Sequence, residues 1–74
     1  MKIKIEVARW ASKYVKSGAE IDLPEGAAVA DAIALVGIPS DNVGFAMVEG
    51  KVVRKDYVLK DGDVVTLHAT IVGG

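Results

Sequence analysis

The sequence predicts an α+β domain in which a single helix lies across one face of one β-sheet. Three observations predict it. Apolar residues alternate with polar ones at both ends of the chain, a helical apolar spacing occurs once, within residues 27–37, and a strand–turn–strand pattern fills residues 45–53. The resulting order, two strands, one helix, then two or three strands, leaves the helix one sheet to bury its apolar stripe against.

Met1, Ile3, Ile5 and Val7 alternate with Lys2, Lys4 and Glu6, which is the period of a strand with one buried and one solvated face. The stretch ARWASKYVKSG breaks the alternation and ends in a Lys16-Ser17-Gly18 turn. Ala19, Ile21 and Leu23 resume it against Glu20 and Asp22, closing a first hairpin. Ser17 and Glu20 fit a capping box, but the residues after them alternate as in a strand, so no helix starts there. Beyond Pro24-Glu25-Gly26, Val29, Ile33 and Val36 share one helical face, and Gly37 and Pro39 stop the helix. Its cap position, Ala28, has no side-chain acceptor and so forgoes about 0.5–2 kcal/mol relative to Ser or Thr. FAMVEGKVV reads as a strand, a Glu49-Gly50 turn and a returning strand, with Ala46 and Val48 on one face and Phe45 and Met47 on the other. Asp61-Gly62-Asp63 is a further tight turn. From it Val65, Leu67, Ala69 and Ile71 alternate with Thr66, His68 and Thr70 up to Gly73 and Gly74.

At 74 residues the chain is expected to be one domain, residues 1–74, with a flexible C-terminal tail over 71–74. It is 51% hydrophobic and 26% charged, which suits a folded core rather than a disordered chain. With no cysteine there is no disulfide, thiolate metal site or cysteine nucleophile. A net charge of -1, with acidic and basic residues interspersed, provides no electrostatic footprint for nucleic acid. No apolar run reaches membrane-spanning length, and a cytoplasmic location is expected.

Catalytic constellations are missing. The single histidine, His68, excludes a two-histidine zinc motif and reads as an exposed strand residue. Gly44 and Gly50-Lys51 are spaced one residue too widely for a phosphate loop, and Val52 stands where a hydroxyl is required. The ten carboxylates are scattered, so no acid/base pair is indicated, and Lys51, Arg54, Lys55 and Lys60 read as a solvated face. The remaining candidate is the C-terminus itself. Glycines at Gly73 and Gly74 let a backbone enter a narrow cleft without Cβ atoms in the way, and four residues span about 13 Å when extended.

LPEGAAVADAIALVGIP followed by MVEGKVVRKDYVLKDGDVVTLHATIVGG resembles the ubiquitin-like sulfur carriers of thiamin and molybdopterin biosynthesis. Leu59-Lys60-Asp61-Gly62-Asp63-Val64-Val65, then a strand and Gly73-Gly74, carries the likeness most specifically, and Thr66-Leu67-His68 resembles the last strand of ubiquitin. The resemblance implies a β-grasp fold, with a mixed sheet of four or five strands whose first and last strands run parallel at its centre. It implies that an E1-like adenylyltransferase, using ATP and magnesium, adenylates the Gly74 carboxylate. A sulfur donor such as a cysteine desulfurase or rhodanese-like protein then leaves a thiocarboxylate. It further implies a molybdopterin synthase large subunit or thiazole synthase as acceptor, no cofactor or metal held by this chain, and catalysis by the partners rather than by the chain itself. Glu49 replaces the usual Asn of the central turn, Ala28 the usual Thr of the helix cap, and His68-Ala69-Thr70 the Phe-Pro-Pro common in molybdopterin-type members. Length and the DYVLKDGDVV run lean towards the molybdopterin type.

If Ala46, Val48, Val65 and Leu67 face the helix, then Phe45, Met47, His68 and Thr70 form an outward patch beside Ile71, Val72, Gly73 and Gly74, and these eight residues are the candidate site. A register one residue off would bury Phe45 and Met47 instead. Two other functions remain open: a ubiquitin-like modifier whose adenylate is transferred to lysines, and a β-grasp binding module with an inert tail.

Overall fold

The N-terminal alternation forms strand β1 (Lys2–Val7), which buries Ile3 and Ile5 completely. The computed structural model describes residues 1–70, so the expected tail over 71–74 lies outside the described residues. The segment that breaks the alternation is a 3-10 turn, Arg9–Ala11, whose Ala11 enters the core. β2 (Ala19–Asp22) returns antiparallel to β1 with Ile3 opposite Ile21. Ser17 caps nothing helical; its Oγ accepts a hydrogen bond from the Val7 amide at 3.1 Å.

Helix α1 (Val29–Val36) buries Val29, Ala32 and Ile33 and ends at Gly37, whose φ of 82° is the left-handed geometry a helix stop favours in glycine. Ala28 is its cap residue and makes no side-chain cap bond, as the sequence implied, and the acceptors come from elsewhere in the chain. The Val29 amide donates to the Tyr57 carbonyl at 3.0 Å and the Ala30 amide to the Lys55 carbonyl at 2.8 Å. Asp31 reaches back to accept from the Ala28 amide at 2.8 Å. Two first-turn donors are thus satisfied by a loop distant in sequence, and the missing side-chain acceptor at Ala28 is offset by tertiary structure.

A second 3-10 turn, Ser40–Asn42, leads into β3 (Val43–Val48), and a two-residue turn at Glu49-Gly50 into β4 (Lys51–Val53). β3 begins two residues earlier than its alternation suggested, because Gly44 is the extra residue of a bulge between Val43 and Phe45. β5 (Val64–Ala69) completes a five-stranded sheet of order β2-β1-β5-β3-β4, with β1 and β5 parallel and the other pairs antiparallel. The last strand occupies the middle of the sheet beside the first, as the resemblance implied.

The signature turn locks this arrangement. The Asp63 carboxylate, almost wholly buried, accepts from the Lys60 amide at 2.8 Å. Asp61 Oδ1 accepts from the Lys2 amide at 2.7 Å, and the Gly62 amide donates to the Lys2 carbonyl at 2.8 Å. Leu59-Lys60-Asp61-Gly62-Asp63 therefore fixes where β5 starts relative to β1. The core between sheet and helix is Ile3, Ile5, Val29, Ile33, Val65 and Leu67, closed at its rim by Leu23, Ile38 and Leu59.

Candidate functional site

β3 and β5 pair with Ala46 opposite Leu67 and Val48 opposite Val65, and all four are buried beneath α1. Alternation then places Phe45, Met47, Thr66 and His68 on the other face, where each is half-buried, so the register is the one that turns Phe45 and Met47 outward. Phe45 stands opposite His68, and their rings stack with centroids 4.5 Å apart and planes 12° from parallel. Met47 stands opposite Thr66 on one side and Val52 on the other, and Val52 is 65% exposed. This makes an apolar strip across β4, β3 and β5, while the same face of β1 and β2 carries Lys2, Lys4, Glu6, Glu20 and Asp22.

Thr70 is placed differently from its neighbours in the expected patch. β5 ends at Ala69, and the Thr70 amide donates to the Asn42 carbonyl at 3.0 Å while its hydroxyl donates to the Asp41 carbonyl at 2.8 Å. A groove of about 290 Å³ lies alongside, lined by Trp10, Asp41, Asn42, Ala69 and Thr70. Sequence reasoning did not include Trp10, Asp41, Asn42 or Gly44 in the site. Gly44 is not among the residues lining this groove, but a Cβ there would lie 2.8 Å from the Ala69 carbonyl oxygen and 2.9 Å from Thr70 Cα, so glycine is what allows this close approach. The other candidates, Ile71, Val72, Gly73 and Gly74, lie outside the described residues.

The basic residues divide. Lys55 Nζ is tied to Ser40 through its carbonyl at 2.8 Å and its hydroxyl at 3.1 Å, and Lys60 stands 4.0 Å from Glu49 in an exposed pair. Among the described residues no group of three or more His, Cys, Asp or Glu side chains could hold a metal ion, and no helix is long and apolar enough to cross a membrane. The described residues offer an outward apolar strip and a positioned strand end, with no convergent set of reactive side chains among them.

The ThiS family matches residues 5–74. Among solved structures the chain is similar to a putative molybdopterin converting factor, subunit 1, from Pyrococcus furiosus, with a TM-score of 0.73 and 30% identity over 95% of this chain and 98% of that one. It is similar to the SAMP1 protein of Haloferax volcanii, with a TM-score of 0.75 and 20% identity over 100% of both chains. It is also similar to a Caldiarchaeum subterraneum ubiquitin, with a TM-score of 0.62 and 26% identity over 100% of this chain and 98% of that one. No curated protein sequence matches. The fold is the ubiquitin-like β-grasp.

Proposed function

This chain belongs to the ThiS family, and we propose that it is a sulfur carrier whose reactive group is the Gly74 carboxylate. The supporting observation is the central strand β5, which is pinned at its start by the Asp61–Asp63 turn and at its end by Thr70, four residues before Gly74 in the sequence. In the proposed first step a Gly74 carboxylate oxygen attacks the α-phosphorus of ATP in an E1-like adenylyltransferase that holds magnesium, and pyrophosphate leaves. A bare carboxylate is a poor electrophile, whereas the acyl-adenylate carries a good leaving group. In the second step the outer sulfur of a persulfide on a cysteine desulfurase or rhodanese-like donor attacks the Gly74 carbonyl carbon and AMP departs, leaving an acyl disulfide. A second thiol then attacks the donor's cysteine sulfur, the S–S bond breaks, and the thiocarboxylate is released as the donor cysteine and that thiol form a disulfide. The chain is then a cosubstrate, and the catalytic side chains are its partners'.

The likeness to the Pyrococcus furiosus protein, a putative molybdopterin converting factor subunit, favours molybdopterin over thiamin biosynthesis, with a synthase large subunit as acceptor. The likeness to a ubiquitin favours a second reading, transfer of the same adenylate to a lysine amine. The outward strip of Phe45, Met47, His68 and Val52 supplies the face on which the activating enzyme docks. Incubation with the host's E1-like enzyme, ATP, magnesium and sulfur donor, followed by intact-mass measurement, tests the proposal. Exchange of one oxygen for sulfur on the wild type, and none on a chain extended beyond Gly74, is expected. An isopeptide-linked adduct without thiocarboxylate would support the modifier reading, and identical behaviour of the two chains would reject activation at Gly74.

A further inference from the structure

Thr70 is held twice, by backbone and by side chain, and both acceptors, Asn42 O and Asp41 O, belong to the Ser40–Asn42 turn. A third feature acts on the same point. The chain at Ala69 and Thr70 passes so close to Gly44 that a Cβ there would sit 2.8 Å and 2.9 Å from their backbone atoms. The bulge at Gly44 lies between Val43 and Phe45, so the turn, the bulge and the end of β5 form one contiguous unit.

We propose that this unit is a latch, and that Thr70 is a positioning residue which fixes where the C-terminal segment leaves the body. The inference rests on the carrier reading and deepens it. With Thr70 held, only four residues separate the body from the reacting carboxylate, a reach of about 13–14 Å at 3.3–3.6 Å per residue. A fixed root concentrates the carboxylate near the partner's nucleotide; a loose root spreads it over a larger volume and lowers the fraction in attacking geometry. The Asp41 carbonyl selects for a hydroxyl at position 70, since valine has nearly the same shape and cannot donate.

Thr70→Val and Thr70→Ser, compared with the wild type, test the latch. Amide hydrogen exchange in the free protein is the first readout. The Thr70 amide is expected to be protected in the wild type, to exchange about fivefold faster in T70V, the weight of one net hydrogen bond, and to be restored in T70S. Adenylation kinetics are the second. T70V is expected to lower kcat about fivefold with little change in KM, because the docking face is untouched, and T70S to recover it. One glycine inserted between Thr70 and Ile71 should impair the wild type more than T70V, whose root is already free. Unchanged exchange at position 70 in T70V would overturn the latch whatever the kinetics. Wild-type kinetics in T70V, or an insertion penalty equal in both backgrounds, would overturn the positioning role. Failure of the wild type to be adenylated would overturn the carrier reading instead, with the exchange result still deciding the latch.

Discussion

Glu49 has a φ of 54° and Gly50 a φ of 76°, the pair of positive values that a two-residue hairpin of the I′ type requires. Glycine adopts this geometry freely, whereas a Cβ-bearing residue there is strained by about 1–2 kcal/mol, and asparagine tolerates it best. The Glu49 carboxylate recovers little, because its lysine partner is 4.0 Å away and both side chains are about 70% exposed. Glu49→Asn is therefore expected to stabilise the domain by about 0.5–1 kcal/mol, measured as an increase in the urea midpoint at constant m-value. The strained position was legible in the sequence, since a Glu-Gly pair between two strand patterns identifies the turn. The role of Gly44 was not. Its φ is not positive, and its need for hydrogen arises only from the close passage of Ala69 and Thr70, residues far from it in sequence.

Elements with their own period were read from the sequence, and those without one were not. β1, β2, α1 and β5 announce themselves by alternation or helical spacing over several residues. The 3-10 turns at Arg9–Ala11 and Ser40–Asn42 are three residues each, too short to show any period, although one places Ala11 in the core and the other holds Thr70. The cap of α1 was placed correctly at Ala28, but the acceptors that stand in for its side chain, the carbonyls of Lys55 and Tyr57, show no period for a related reason. Because those carbonyls already serve the first two helical amides and the Asp31 amide donates to the Ala28 carbonyl at 3.0 Å, Ala28→Ser meets no unpaired donor in the first turn and can only add a second acceptor. The gain should lie near 0.5 kcal/mol, the low end of the range for N-cap serine, and be visible as a small upward shift of the urea midpoint. The Lys60–Asp63 turn behaves oppositely. Asp63 is buried at 7% exposure, and its carboxylate is the acceptor for the Lys60 amide. Asp63→Ala strands that amide and should cost about 1–3 kcal/mol, while Asp63→Asn, which keeps an acceptor oxygen, should cost less. Equal losses in the two variants would mean that the carboxylate's charge, and not its acceptance from Lys60, sets the turn.

At the scale of the whole molecule, one helix can cover only one face of a five-stranded sheet, and the other face must be made compatible with solvent or with a partner. Its β1–β2 half is made compatible with solvent by charge, including an exposed Lys2–Asp22 pair at 3.2 Å. Its β3–β4–β5 half, carrying Phe45, Met47, Val52 and the His68 ring, is not. That division makes adjacent residues on β3 respond to the same substitution in opposite ways. Met47 is half-buried on the outward face, and Val48, at 3% exposure, lies under α1. Val48→Glu would bury an unpaired carboxylate and should unfold the domain, seen as loss of a cooperative urea transition. Met47→Glu keeps its charge in water and should shift the midpoint by no more than about 1 kcal/mol. The same variant should weaken the complex with the activating enzyme at least about tenfold in calorimetric titration, because the new carboxylate would have to be desolvated against the partner. Tolerance of glutamate at Val48 with unfolding at Met47 would invert the β3 register, and unaltered binding by a folded Met47→Glu chain would remove this strip from the docking face.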